Sequence, residues 1–435
     1  MTGQRTIFVC QKCGAQSPKW IGRCPECGEW NSMAETVLEV RAGEQKSRRK
    51  AVKPLRLSEI KKRKLERIKT GILEFDRVLG GGIVPGSVVL LAGEPGIGKS
   101  TLITQILAKV GGLYVSGEES AEQIKIRTER LKVKEDKFLV LPETNVESII
   151  SAIQQFSHLI MVIIDSIQTM TTEDLTGTAG SIGQVRESAN KLLKIAKKTN
   201  IPIFLIGHIT KSGNIAGPKV LEHLVDVVLY LEGDKKYNFR ILRAHKNRFG
   251  ATDEVGVFEM RDCGMSEISD PSKLFLAQRV EKVSGSAIVS VLQGNRPVLV
   301  EVQALVVPTS LVIPRRVANG VSFQRLQLLC AVLQKRCRLP LNRFDVYLNV
   351  AGGLKVDEPA ADLGICVAIV SSLKNKLISK ETVFIGEVGL LGEIRNVGQL
   401  EKRIKEARKL GFKKAITTEK HRSITEVIHN ILKTP

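Results

Sequence analysis

Residues 86–110, GSVVLLAGEPGIGKSTLITQILAKV, set an apolar run, a glycine-rich loop and a helix-forming run end to end. Val88 to Ala92 read as a buried strand, and Thr101 onward reads as a helix. Between them, Gly93, Glu94, Pro95, Gly96, Ile97, Gly98, Lys99 and Ser100 follow the spacing of a phosphate-binding loop. The glycines let backbone N–H groups wrap phosphates at a helix N-terminus, where the helix dipole adds attraction. Lys99 is expected to reach the β- and γ-phosphates of ATP and the Ser100 hydroxyl to bind Mg2+, with Thr101 opening the helix behind them. An ATP site on an α/β sheet follows.

The same metal site needs a carboxylate, expected at the end of a later apolar strand. HLIMVIIDSIQT (158–169) supplies it: a run suited to a strand buried on both faces, closed by Asp165. GGLYVSGEES (111–120) gives a further strand, with Glu118 and Glu119 at the carboxyl edge where α/β sheets bind ligands. Glu118 is the candidate to orient an attacking water, whereas the plainer reading of Glu119 is a carboxylate favoured by a helix dipole. IPIFLIGHIT (201–210) ends at His208, either a polar strand cap or a sensor of the γ-phosphate before the loop KSGNIAGPK (211–219). That loop and TMTTEDLTGTAGSIGQ (169–184) are where a moving nucleotide site could grip a strand of DNA. Val185, Ala189, Leu192 and Ala196 then repeat at helical spacing.

Outside this core, FVCQKCGAQSPKWIGRCPECGEWNSM (8–33) places Cys10, Cys13, Cys24 and Cys27 as two Cys-x-x-Cys pairs, each followed by glycine. A two-residue gap lets both sulfurs of a pair reach one ion, so two pairs predict a closed, structural Zn2+ site. A redox dithiol would need a thioredoxin-like strand and helix, which this stretch lacks. Trp20 and Trp30 are expected to pack on the metal loops or to stack on a base. RAGEQKSRRKAVKPLRL (41–57) is basic and poor in large apolar residues, as a linker is.

The 435 residues suggest about three domains. The expected limits are 1–35 for a four-cysteine zinc-binding domain, 36–57 for a basic linker, 58–268 for the ATPase and 269–435 for a C-terminal domain. A net charge of +21 favours a polyanionic partner. With aromatics at only 4%, stacking on many bases is not expected to dominate. No apolar run is long enough to span a bilayer and no leader is evident, so a cytoplasmic protein without a membrane partner is expected.

TGILEFDRVLGGGIVPGSVVLLAGEPGIGKST (70–101) resembles the opening of a RecA/KaiC/DnaB-type ATPase. With the cysteine knuckles, IAGPKVLEHLVD (215–226) and KNRFG (246–250), the whole chain resembles a bacterial DNA-repair family. That family joins a zinc finger, a RecA/DnaB-like ATPase and a Lon-protease-like domain. The implied fold class is α/β multidomain: a small four-cysteine zinc ribbon, a RecA-like P-loop ATPase with a mostly parallel sheet, and an α+β Lon-protease-like domain. The resemblance implies a homo-oligomeric ring, with six subunits as the expected number. It also implies action on single-stranded and branched DNA, branch migration of recombination intermediates, and a RecA-type recombinase as a candidate partner. In such rings a neighbouring subunit supplies cations to the ATP site. Lys246 and Arg248, two apart in RILRAHKNRFGATDEVGVFEM (240–260), match that pair; direct contact with DNA phosphates is the competing reading.

From about residue 270 the order of strands and helices resembles the proteolytic domain of Lon, which uses a Ser-Lys dyad. DEPAADLGI (357–365) puts Ala360 at the serine, and GEIRNVGQLEKRIKEA (392–407) puts Glu401 at the lysine, with Lys402 one residue away. A dyad without its nucleophile cannot acylate, so a non-proteolytic domain is expected. Arg315, Arg316, Arg325, Lys335, Arg336 and Arg338 suggest a surface facing DNA or another subunit. The alternatives to a DNA motor are an ATP-dependent protein-remodelling machine and a KaiC-like regulatory ATPase.

Overall fold

The computed structural model describes residues 3–10, 15–26, 28–40, 66–134, 136–156, 158–175, 177–208, 219–233, 238–276 and 283–433. Cys13, Cys27, the loop 211–218 and most of the expected linker lie outside the described residues. The chain divides into two compact units, residues 1–268 and 269–435.

The first unit opens with a ribbon of three strands, β1 (Gly3–Cys10), β2 (Gln16–Ser17) and β3 (Met33–Val40), in the order β2-β1-β3. A nine-stranded sheet follows. Its elements in chain order are α1 (Leu73–Val78), β4 (Val88–Gly93), α2 (Lys99–Val110), β5 (Gly112–Ser116), α3 (Ala121–Arg130), β6 (Phe138–Pro142) and α4 (Val146–Gln155). After these come β7 (Val162–Asp165), α5 (Ile182–Thr199), β8 (Ile203–His208), α6 (Lys219–Glu222) and β9 (Val227–Glu232). The strands β10 (Phe239–Asn247), β11 (Val255–Arg261) and β12 (Gly264–Glu267) complete it. The order is β12-β11-β10-β9-β4-β8-β7-β5-β6. Six neighbouring strands from β9 to β6 run parallel, and β10 to β12 add an antiparallel meander.

Strand alternation explains how the sheet takes a helical layer on each face. Val89 and Leu91 of β4, Ile163 of β7, and Phe204 and Ile206 of β8 pack with Leu102, Ile103 and Ile106 of α2. Their neighbours Val88, Leu90, Val162, Ile164, Ile203 and Leu205 pack on the other face with Val185, Leu192 and Ala196 of α5. Apolar side chains on both sides leave the strands' carboxyl edge as the place where polar loops gather. The phosphate loop leaves β4 there, at the middle of the sheet.

The second unit contains α7 (Pro271–Leu276), β13 (Ser286–Gln293), β14 (Arg296–Pro308), β15 (Arg316–Asn319), α8 (Phe323–Arg336), β16 (Phe344–Val350) and α9 (Asp362–Lys374). It continues with β17 (Thr382–Phe384), β18 (Glu387–Val388), β19 (Ile394–Arg395), α10 (Leu400–Lys409), β20 (Lys414–Ile416) and α11 (Ile424–Lys433). Six strands form a mixed sheet, β15-β16-β14-β13-β17-β20. The apolar run of α9 is buried from Asp362 to Ser371, as a helix without a polar face must be. Arg325 and Arg316, expected on an open basic surface, are instead used internally. Arg325 makes an ion pair with buried Asp362, and Arg316 Nη1 and Nη2 donate to the carbonyls of Phe344 and Leu341, each at 2.7 Å. Among the described residues, no helix is long and apolar enough to cross a membrane.

Candidate nucleotide site

The phosphate loop runs from Gly93 at the end of β4 to Gly98, which caps α2 in a left-handed conformation at φ 109°. Only glycine takes that geometry without strain. It turns the amides at the start of α2 toward a cleft of about 680 Å3, walled by the loop, Ser100, Thr101, His208 and the β11–β12 hairpin.

Lys99 is buried, and its ammonium donates to the carbonyls of Gly93 at 2.9 Å and Glu94 at 3.0 Å. It also reaches His208 Nδ1 at 3.1 Å. Burial lowers the Lys99 pKa to about 8, against the opposing pull of Asp165 and Glu118. His208 is lowered too, first by burial and then by the Lys99 charge. A neutral ring accepting at Nδ1 carries its proton on Nε2, which faces the Glu118 carboxylate at 3.8 Å. Ser166 Oγ donates to Glu118 Oε1 at 2.6 Å. Lys99, His208, Glu118 and Asp165 thus meet at one edge of the sheet.

Glu118 and Glu119 part company. The strand before them stops at Ser116, so both lie in the following bend. Glu118 turns to Ser166 and His208, while Glu119 pairs with Arg127 of α3 at 2.8 Å. The helix N-cap is Ser120, in a reciprocal capping box with Gln123, so a dipole role for Glu119 is displaced by a specific ion pair.

Two residues of this site were not singled out from the sequence. The Tyr114 hydroxyl on β5 donates to Asp165 Oδ2, and Arg127 Nη2 donates to the Tyr114 hydroxyl at 3.0 Å. Burial and the Asp165 charge hold the tyrosine proton on, well above the usual phenol range. The Glu119–Arg127–Tyr114–Asp165 chain therefore ties the cleft rim to the aspartate and leaves Asp165 Oδ1 for another ligand. The one signal in the sequence was a tyrosine hydroxyl inside a strand that buries both faces, where it must find a partner.

The donors fit Mg2+: a serine hydroxyl at the first turn of α2 and a carboxylate fixed through one oxygen are both hard oxygen ligands. Tyr114→Phe keeps the ring that stacks on Phe138 but removes the donor to Asp165. Mg2+-dependent nucleotide affinity is expected to fall roughly tenfold or more. Nucleotide affinity in EDTA should be unchanged, as read by titration with a fluorescent ATP analogue.

Lys246 and Arg248 lie elsewhere. β10 runs antiparallel to β9, with Lys246 opposite Val228 and Asn247 opposite Val227. In β9 these residues stand beside Leu90 and Val89, while Gly93 pairs with Leu231. The pair is therefore at the opposite edge of the sheet from its own phosphate loop, at about 3.3 Å per strand residue. The strand also ends at Asn247, and its register shifts between Ala244 and Lys246, so Arg248 is a turn residue and not an alternate strand position. The two cations still fall on one side: Lys246 Nζ donates to the Glu222 carbonyl at 2.7 Å, and Arg248 pairs with Asp226 at 3.4 Å. Asn247 turns away to the Val78 carbonyl and accepts from the Phe249 amide at 3.0 Å. Buried Asp226, unremarked in the sequence, also accepts from the Val88 amide and pairs with Lys197 at 2.5 Å.

In the ribbon, Cys10 and Cys24 are buried together with Met33. The two knuckles make equivalent hydrogen bonds: Cys10 N–H donates to the Ala15 carbonyl at 2.8 Å, and Cys24 N–H to the Glu29 carbonyl at 2.9 Å. Gly28 follows the second pair at φ 73°. Equivalent turns bringing two thiols into one cluster fit a closed thiolate site. Cys13 and Cys27, the remaining members, fall outside the described residues.

In the second unit, Ala360 is buried in the turn before α9 and Glu401 is exposed on α10. The side chain beside this position is Arg403, fully buried, which pairs with Glu358 and donates to the Ser290 carbonyl at 2.6 Å. The Glu358 carboxylate also accepts from the Leu292 amide at 2.7 Å. An ion pair occupies the region where the resemblance to Lon would place a dyad.

The parallel sheet, the phosphate loop and the carboxylates at its edge define a RecA-like P-loop ATPase, here preceded by a metal-binding ribbon. Family models match three stretches: a rubredoxin metal binding domain over residues 8–35, an AAA domain over 54–214, and subunit ChlI of Mg-chelatase over 312–421. DNA repair protein RadA of Halalkalibacterium halodurans is 50% identical over 433 residues, 97% of this chain and 94% of that protein. DNA repair protein RadA of Bacillus subtilis is 50% identical over 426 residues, 96% and 93% of the two chains. The chain belongs to the RadA family of DNA repair proteins. Among solved structures, a RadB recombinase covers 46% of this chain at 22% identity with a TM-score of 0.38.

Proposed function

We propose that the chain is a DNA-stimulated ATPase that works as a ring-shaped motor on single-stranded and branched DNA in recombinational repair, including branch migration. The observation that carries this reading is the division of its cations. Lys99, His208, Glu118 and Asp165 gather at one edge of the sheet, while Lys246 and Arg248 stand at the other. A cation pair that cannot serve its own nucleotide suits a neighbour's, which makes oligomerisation part of the active site. The names of its relatives and the net charge of +21 support a DNA partner.

In this reading Lys99 leaves the carbonyls of Gly93 and Glu94 for the phosphates, and the loop amides hold the remaining phosphate oxygens. Ser100 and Asp165 would hold Mg2+, which when bound offsets charge on the phosphates. Glu118, already a hydrogen-bond acceptor from Ser166, orients the attacking water, and His208 sits between Glu118 and Lys99 to register the γ-phosphate. Cys10, Cys13, Cys24 and Cys27 would hold Zn2+ as a structural ion. With a methyl group at position 360, the second unit acts without proteolysis. The protein would work in the cytoplasm beside a RecA-type recombinase.

Single-stranded DNA is expected to raise the steady-state ATPase rate several-fold. Its affinity should fall roughly 10²-fold or more between low and physiological salt, as phosphate contacts release counterions. An ATPase rate indifferent to DNA at low salt would remove the motor. A stimulated ATPase that fails to displace a strand from a forked duplex would leave a switch in its place.

A further inference from the structure

The ribbon turns its two tryptophans outward. Trp20 is 56% exposed and Trp30 is 67% exposed, although among the described residues the ribbon buries few apolar side chains: Ile7, Val9, Cys10, Cys24 and Met33, with Phe8, Ala15 and Ile21 partly buried against the cysteines and Met33. Each indole leaves more than half of the about 150–250 Å2 that it could bury in water, in a unit short of apolar contacts. These are also the chain's two tryptophans.

The local backbone brings the rings together. Arg23 and Trp30 face each other in an antiparallel bridge, and the Asn31 amide donates to the Gly22 carbonyl at 2.7 Å. A side chain at Gly22 would begin 3.6 Å from the Trp20 ring and 3.9 Å from the Trp30 ring. The missing side chain therefore leaves a notch against both indoles. Arg23 Nε donates to the Gly28 carbonyl at 3.0 Å, which holds the guanidinium 5.7 Å from the centre of the Trp30 ring. Lys19 flanks Trp20, exposed.

We propose that this notch is a stacking platform for an unpaired base of single-stranded DNA, with Arg23 and Lys19 placed for the adjoining phosphates. Stacking on indole needs no particular base, because every base has a π-face. A guanidinium over the ring adds attraction and leaves N–H donors free for a phosphate oxygen. Charge favours a nucleic-acid occupant: the exposed cations Lys19 and Arg23 flank the two indoles and suit phosphates. The inference rests on the reading that the chain binds single-stranded DNA, and it assigns the ribbon a direct part in that binding.

Because Trp20 and Trp30 are the chain's only tryptophans, their emission reports on the notch alone. The experiment titrates the zinc-loaded full chain with a labelled oligo(dT), following label anisotropy and tryptophan emission together. Emission is expected to fall along the same saturation curve as anisotropy rises. Trp20→Ala and Trp30→Ala should each weaken binding at least about fivefold, and Trp30→Phe, which keeps a ring, should lose less. Bound zinc, measured on every variant, confirms that the ribbon is intact. Anisotropy that rises with unchanged emission overturns the platform and leaves DNA binding in place. If neither signal changes, both readings fall. Emission that shifts on self-association without DNA would hand the notch to a second copy and overturn the proposal.

Discussion

Lys99→Ala is expected to lower ATP hydrolysis by at least about 10²-fold, the order found when one preorganised charge is removed from a site where charge develops. The structure adds a second signature. The Lys99 ammonium is buried among the carbonyls of Gly93 and Glu94 with His208 beside it, and its pKa is lowered to about 8. Phosphates arriving at that ammonium favour its charged form. Below pH 8 the lysine is already protonated and nucleotide binding moves no proton through it. Above pH 8 it must take one up, so wild-type affinity should fall by up to about tenfold per pH unit. Calorimetry in two buffers of different ionisation enthalpy reads the proton uptake directly. Lys99→Ala should abolish that uptake along with the hydrolysis. Removing the ammonium also leaves two loop carbonyls without a donor, so thermal unfolding of the variant is the control. A variant that stays folded and hydrolyses ATP at the wild-type rate would remove Lys99 from the chemistry.

The sheet was legible because its signals are local. Apolar runs such as 88–92 and 161–164 have no polar face to offer water, and a glycine loop after one of them has few uses other than holding phosphate. Glu118 and Glu119 were harder, since adjacent carboxylates differ only in what their partners are. Arg127, one turn before the end of α3, takes Glu119 and so leaves Glu118 to Ser166 and His208. Tyr114, Asp226 and the Arg403–Glu358 pair answer to residues 13 to 138 positions away, and no spacing rule reaches that far. The basic residues of the second unit show the same limit. Arg325 reads as surface charge until Asp362 is brought beneath it, after which it holds a buried carboxylate that would otherwise be unpaired. The shift of register within β10 belongs here too, because packing against β9 and not side-chain alternation decides where Lys246 and Arg248 land.

Lys246→Ala is expected to lower ATP hydrolysis by about 10³–10⁵-fold if the side chain serves a neighbour's phosphates, and mixing should restore part of it. Lys246 is the cleaner target of the pair. Its ammonium donates to the carbonyls of Glu222 and His223, whereas Arg248 helps to hold buried Asp226, which anchors the start of β4. Burial and the nearby Arg248 lower the Lys246 pKa, against the opposing pull of Asp226 and Glu222. The sheet sets its first cations and its second pair on opposite edges, so in the proposed ring a head-to-tail contact between copies would bring one subunit's Lys246 toward the next subunit's Lys99. Co-assembled Lys99→Ala and Lys246→Ala subunits, each inactive alone, would then rebuild about a quarter of the interfaces with both lysines present. ATPase activity near that fraction of wild type supports the shared site. If mixing restores nothing while Lys246→Ala lowers DNA affinity and spares DNA-independent hydrolysis, the cation belongs to the DNA backbone instead. The two outcomes separate because a phosphate contact acts within its own subunit and cannot be lent to a neighbour whose defect is at Lys99.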